Sequence, residues 1–387
     1  MPLRILVCGG GCAGPALAFW LARSGHHVIV VERYLDLRAT GAQVDLRGQG
    51  IETVKRMGLL DTIRGKLVDE DGIAIVDTNG TIHAKFMANK SGKGAQSLTS
   101  EFEIMRGDLV RILYEATKGQ VKYIFGKTVE SFEQDEKQVT AHFSDGSNDT
   151  FDLLVGADGQ GSRIRKAILP QDSPEPYLRL GVHMAYWSIP RTEDDIPLKA
   201  KSTFFRDSSP EVSSIQRASV EQQKEFWTQR FRSAGWQTER FLKGMEDAPM
   251  WYCQEAVQVR LDKWHKDRVV LLGDAAYCAS PFSGMGTTAS LVGAYVLAGE
   301  LNRSPDNLLQ ALINYNRVLQ PFIREVQRGA NPYIIRLAMP ESEWGVSVIR
   351  FIGWLFCLLR IPELISRLSR ENKGGWELPE YPELRHG

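Results

Sequence analysis

The chain has 387 residues, of which 43% are hydrophobic and 24% charged. That is the make-up of an ordinary globular protein long enough for about two domains. Lys plus Arg balance Asp plus Glu at 47 each, which removes nucleic acid as the expected partner.

Leu3–Val7 is a short, mostly apolar run that reads as a parallel strand buried on both faces. Gly9, Gly11 and Gly14 follow as G-x-G-x-x-G, with Cys12 and Ala13 completing the turn. In this pattern the first glycine permits the tight turn, the second lets backbone approach a pyrophosphate, and the third lets helix and strand pack closely. Leu17, Trp20 and Leu21 then recur at helical spacing up to Ser24 and Gly25. His27–Val31 is the next strand. Glu32 at its end, followed by Arg33, places a carboxylate where ribose hydroxyls are bound. Arg4 before an apolar run also resembles a secretion signal, but four glycines between Gly9 and Gly14 interrupt it. A strand, a glycine turn, a helix and an acid about twenty residues on are the context of an adenine dinucleotide site. NAD and FAD both stay open at this point. The five cysteines (Cys8, Cys12, Cys253, Cys278 and Cys357) match no zinc spacing and read as reduced thiols, and no metal site stands out.

Gly41–Leu59 reads as a loop and a helix, and Gly72–Phe86 as a hairpin turning at Asn79-Gly80. A second hairpin turns at Asp145-Gly146. Leu153–Val155 is an apolar strand running into Gly156, Asp158, Gly159 and Gly161, then a basic helix start at Ser162, Arg163 and Arg165. Gly181–Pro190 reads as a strand with Val182, Met184, Tyr186 and Ser188 on one face. Tyr186 and Trp187 point to opposite faces, and sheet packing competes with a place in an apolar pocket for each. Gln222–Gly235 is an amphipathic helix and Trp251–Arg260 a returning strand. Val269–Leu272 is another buried strand, ended by Gly273-Asp274. Pro281 and Phe282 interrupt the chain, and Gly284-x-Gly286 with Thr287 opens a helix to Leu301. A helix over Leu308–Gln327 is expected to break at Pro321. Trp344–Arg370 is very apolar, but its uncharged run, Phe351–Leu359, is too short to span a bilayer. A helix bridging the domains is the plain expectation there, with contact at a membrane surface as the alternative.

These stretches, with "FEIMRGDLVRIL" at Phe102–Leu113, resemble the dinucleotide glycines, D-G motif, G-D motif and arginine helix of the class A FAD-dependent aromatic hydroxylases. The nearest likeness is to the branch with tetracycline-inactivating monooxygenases. The resemblance implies an α/β, Rossmann-like FAD-binding domain interleaved with a β-sheet substrate domain. Residues 1–71, 101–170 and 265–305 would hold FAD, 72–100 and 171–264 the substrate, and 306–387 would form a bridging helical region. It further implies Asp274 at the ribityl hydroxyls, Arg106 at ribityl or pyrophosphate oxygens, and Asp158 organising the turn near the pyrophosphate. The turn from Pro281 to Gly284 would face the flavin, with Gly286 opening the helix whose dipole stabilises the reduced ring. Asp45 and Arg47 would face the isoalloxazine edge or the nicotinamide, and Phe282 the substrate. The implied reaction takes NADPH or NADH and dioxygen, and hydroxylates an aromatic or polycyclic phenol or enol by way of a C4a-hydroperoxyflavin. A cytoplasmic monomer is expected. Three positions depart from the family pattern: Tyr277 for His, Thr288 for Asn and Gly293 for Asp. The stretch Thr203–Ser219 looks short for the family's substrate sheet. A flavin-dependent halogenase is a rival, since Trp187-Ser188-Ile189-Pro190 matches half of its W-x-W-x-I-P, although Ala185 stands where the first Trp belongs. A non-oxygenating flavoprotein reductase and a flavin-binding sensor are the others.

Overall fold

Four apolar strands that read as buried on both faces pair side by side, and the rest of the chain is arranged around them. The computed structural model describes residues 1–38, 41–68, 72–87, 102–190, 192, 214–215, 218–248, 251–340, 342–359 and 375–384. The expectation of a shortened substrate sheet falls almost wholly on residues outside that set.

In chain order the first unit is β1 (Arg4–Cys8), α1 (Ala13–Arg23) and β2 (His27–Glu32). Then come β3 (Gln43–Asp45), α2 (Gln49–Arg56), α3 (Leu60–Arg64), β4 (Gly72–Val76) and β5 (Ile82–Met87). After β6 (Glu103–Met105) and α4 (Arg106–Glu115), the strands β7 (Lys122–Phe125), β8 (Val129–Gln134), β9 (Val139–Phe143), β10 (Asn148–Phe151) and β11 (Leu153–Gly156) lead into α5 (Arg163–Ile168). The long ribbon is β12 (Tyr177–Trp187) with β13 (Trp251–Val259), separated by α6 (Val220–Phe231) and α7 (Thr238–Glu246). Then follow β14 (His265–Lys266), β15 (Val269–Leu271), α8 (Asp274–Tyr277), α9 (Gly286–Arg303), α10 (Leu308–Arg328), α11 (Pro332–Ala338) and α12 (Glu343–Leu358).

The central sheet has the order β14-β15-β11-β1-β2-β7, and β1 pairs in parallel with both β2 and β11. Its strand residues from Ile5 to Val7 and from Leu153 to Val155 have no exposed surface, which is why they read as unbroken apolar runs. The carboxyl ends of β1, β11 and β15 point the same way, so the turns after them, carrying the three glycine motifs, meet at one edge of the sheet.

Two expectations are corrected. The ribbon strand begins at Tyr177, earlier than Gly181, and ends at Trp187, so Ser188–Pro190 lie beyond it. Its register shifts between Arg179 and His183, and Gly181 there has φ +67°, a bulge that keeps both halves paired with β13. Pro321 does not break its helix: α10 runs continuously through it. The proline is exposed while Leu319, Phe322 and Ile323 beside it are buried, so inward packing on both sides holds the helix together across the missing N–H bond.

Candidate active site

A methyl group added at five of the motif glycines shows how closely the motifs meet. At Gly9, φ +123°, it would lie 2.3 Å from the carbonyl oxygen of Ala157, beside Asp158. At Gly14 it would lie 2.0 Å from the carbonyl oxygen of Gly9, so α1 rests directly on the turn. At Gly11 it would lie 3.2 Å from Arg106 Nη2. At Gly273, φ +63°, it would meet Ala13 Cβ and Ser290 Oγ at 3.0 Å. At Gly284, φ +61°, it would lie 3.3 Å from Asp45 Oδ2 and 3.5 Å from Arg47. Residues spread over more than 270 positions of sequence therefore meet at the carboxyl edge of the sheet, where open α/β folds form their ligand cleft.

Glu32 is buried and accepts from the Gly10 amide at 2.7 Å and the Tyr34 amide at 3.1 Å. A carboxylate has lone pairs left for ribose hydroxyls beyond those two bonds. Arg33 is exposed, with its guanidinium over the Tyr34 ring at 5.0 Å. Cys12 is the N-terminal flank of α1, and burial pushes its thiol up against the opposing charge of Arg106, so it stays protonated. Asp158 accepts from Ser162 Oγ at 2.6 Å and the Arg163 amide at 2.7 Å, and so caps α5, while Gly159 turns the chain at φ +80°.

Asp274 opens α8, and a methyl at Gly286 would lie 3.9 Å from its Oδ1, at the N-terminus of α9. Burial raises its carboxyl, opposed by a hydrogen bond from the Cys278 thiol and by the charges of Arg106 and Arg165. Since the folded protein bears a cost for this ionised carboxyl, Asp274→Asn is expected not to lower the stability of the FAD-free protein at neutral pH. The same change should weaken FAD by about tenfold, through loss of a charged acceptor. Thermal melts without FAD and a flavin titration check both halves, and a variant that melts lower yet binds normally overturns the assignment.

Before α9, Ser280 has φ +75°, a strained value for a non-glycine residue, and its Oγ accepts from the Phe282 amide at 3.3 Å. This holds the Pro281–Ser283 turn in place, with Thr287 following in the first turn of α9. Asp45 and Arg47 form a half-buried ion pair at 2.7 Å against that turn. Thr288, the residue in place of the family Asn, accepts from the Arg47 amide at 3.0 Å through Oγ1 and so ties this loop to α9.

The other wall of the cleft is the β12–β13 ribbon. Tyr186 and Tyr252 are cross-strand partners, with ring centroids 5.8 Å apart and planes 27° apart. Arg38 lies between Tyr34 and Tyr252, at 4.8 Å and 5.4 Å from their rings. Asp274 and Arg106 both act electrostatically on the Tyr252 hydroxyl, which places this tyrosine pair toward the cleft. Phe282 and Met184 both pack against the buried cluster of Leu180, Val182 and Ile335. Trp187 goes the other way: its indole donates to the Phe241 carbonyl at 3.0 Å, and it packs with Trp251 against the buried cluster of Trp227 and Phe231. Trp187 is therefore a packing residue, and the half-match to W-x-W-x-I-P lies on the face away from the cleft. Tyr252, Arg38 and the tie at Thr288 are functional candidates that sequence reasoning misses. Only the strand register, which pairs Tyr252 with Tyr186, reveals the first of them.

Among the described residues no cluster of His, Cys, Asp or Glu could hold a metal ion, and no helix is long and apolar enough to cross a membrane.

Glycine turns, the buried acid Glu32, the acid and guanidinium of Asp274 and Arg106 and the N-terminus of α9, gathered at one edge of the sheet, fit one extended dinucleotide, FAD. Residues 3–304 match the FAD binding domain family, and the chain belongs to it. It is 37% identical to the FAD-dependent monooxygenase asL4 of Sarocladium schorii over 429 aligned residues, covering 99% of both chains. It is 40% identical to the flavin-dependent monooxygenase eupH of a Phoma species, covering 91% of both. The crystal structure of tetracycline destructase Tet(51) superposes with a TM-score of 0.78 at 30% identity, covering 98% of this chain and all of that one.

Proposed function

We propose that the protein is an FAD-dependent monooxygenase that takes electrons from NADPH or NADH and hydroxylates an aromatic or polycyclic phenol or enol. The observation that carries the substrate class is the Tyr186–Tyr252 ring pair on the inner face of the ribbon, facing the cleft. A planar ring stacks on such a surface, and the Arg38 cation beside it favours an electron-rich one. When bound, FAD supplies reductive activation of dioxygen. The protein's part is to bind, orient and keep water out. Burial pushes the Tyr186 phenol up to about 12 and the Tyr252 phenol higher, so both remain neutral and serve as platform and donor, never as base. Asp45 and Arg47 would receive the nicotinamide, and the N-terminus of α9 would favour negative charge on the reduced ring. In this reading residues 1–71, 101–170 and 265–305 bind FAD, 72–100 and 171–264 form the substrate side, and 306–387 bridge them.

The test is oxidation of NADPH and NADH by the FAD-loaded protein in air, with a panel of polycyclic phenols and labelled dioxygen. Accelerated oxidation with label in the product supports the reading. Oxidation without label in any product sinks it in favour of a reductase. Tyr252→Ala is expected to lower kcat/KM for a responsive panel member about tenfold while the protein melts normally. Trp187→Ala should instead cost about 2 kcal/mol of stability and leave KM unchanged. The reverse pattern would put the pocket on the other face of the ribbon.

A further inference from the structure

The segment 375–384 grips both ends of α2. At one end Gln49 donates to the Trp376 carbonyl at 3.0 Å. At the other, Arg56 donates to the Pro379 carbonyl at 3.0 Å and pairs with Glu380 at 2.7 Å. Arg56 also donates to the Tyr295 hydroxyl at 2.7 Å, on α9.

The segment is itself fastened in two places. The Trp376 ring lies 4.9 Å from Phe322, and its indole donates to the Val318 carbonyl at 2.9 Å. Tyr381 has no exposed surface, donates to the buried Glu300 at 2.6 Å, and sits in a slot where a methyl at Gly299 would lie 2.3 Å from its ring. The same α2 presses against α9, where a methyl at Gly50 would lie 2.6 Å from Thr288 Oγ1. The helix is held by both this strap and α9, and the loop that leads into it carries Asp45 and Arg47.

We infer that Gln49 and Arg56 are positioning residues, through which the strap at 375–384 sets the Asp45–Arg47 pair against the Gly284 turn. These contacts of the strap run to α2, α9 and α10. Its effect should therefore fall on electron delivery at the flavin edge and leave retention of FAD alone. This rests on the reading of Asp45 and Arg47 as the flavin-edge pair.

The experiment compares Arg56→Ala, with Gln49→Ala as a milder second variant should the first fail to fold, against Arg47→Ala. Deuterium exchange is measured on the FAD-free protein, and the rate of flavin reduction by NADPH and NADH on the loaded one. In Arg56→Ala the Arg47 amide, bonded to Thr288, should exchange about tenfold faster while β1 and β11 are unchanged. Flavin reduction should slow about tenfold with the FAD Kd within about threefold of the parent. Combining Arg56→Ala with Arg47→Ala should be no slower than Arg47→Ala alone. Unchanged exchange at Arg47, or slowing that simply adds in the double variant, overturns the inference. If Arg47→Ala itself leaves reduction untouched, the flavin-edge reading fails, and exchange at the Arg47 amide still decides whether the strap positions the loop.

Discussion

Gly14→Ala is expected to yield a protein that has lost FAD, with affinity down by at least about a hundredfold, roughly 3 kcal/mol or more. The added methyl would lie 2.0 Å from the Gly9 carbonyl oxygen and 3.3 Å from Val7 Cγ1. Neither neighbour is the end of a flexible side chain. To make room, α1 must lift from β1, yet Leu17, Ala18 and Leu21 on that helix are wholly buried. Overpacking of this kind costs about 1–3 kcal/mol in stability, and it also displaces the amides that would face the pyrophosphate. Gly11→Ala provides the contrast. Its methyl meets only the tip of Arg106 at 3.2 Å, which can swing aside. That variant should melt normally and lose about tenfold in affinity, through the moved guanidinium. Flavin absorbance per protein and a fluorescence titration measure both. Stoichiometric FAD in Gly14→Ala would mean that the cofactor is not seated on this turn.

The contrast shows what a sequence can and cannot carry. Gly9 and Gly14 are legible because their demands are local: a positive φ at Gly9, and at Gly14 a close approach by the Gly9 carbonyl of its own turn. The strands β1, β2, β11 and β15 are legible for the same reason, as apolar runs bounded by glycine. Tyr252 is not, because its role depends on lying across from Tyr186, and a one-residue slip in register would turn it to the other face. Trp187 and Tyr186 differ by one position and part company for that reason. Asp158 is legible as a motif residue, but its hydrogen bonds to Ser162 and Arg163 show it capping a helix. The strap at 375–384 leaves no sequence signal, since its contacts with α2 join residues more than 320 positions apart.

Two of the three departures from the expected pattern meet in space. A methyl at Gly293 would lie 1.9 Å from the Tyr277 hydroxyl, so the larger residue at 277 occupies the space that a side chain at 293 would need. The Tyr315 hydroxyl donates to the Leu271 carbonyl at 3.2 Å, which leaves the Tyr277 hydroxyl, 3.1 Å away, to donate to Tyr315. Both rings are buried, and burial raises both phenols, so the pair stays neutral and links α8 to α10 directly behind Asp274. Gly293→Ala is therefore expected to cost about 2–3 kcal/mol, and Tyr277→Phe about 1 kcal/mol for the lost hydrogen bond. In the double variant the methyl takes the place of the missing hydroxyl. Its cost should fall short of the sum by more than about 1 kcal/mol, read from urea unfolding of the FAD-free proteins. The family pattern itself supplies the sharper case. Gly293→Asp alone would bury a carboxylate against the Tyr277 hydroxyl and should fold poorly. Tyr277→His with Gly293→Asp should recover both stability and FAD, because the shorter ring vacates the space and gives the carboxylate an imidazole to bond. Additive costs in either pair would mean that Tyr277 and Gly293 do not compensate each other.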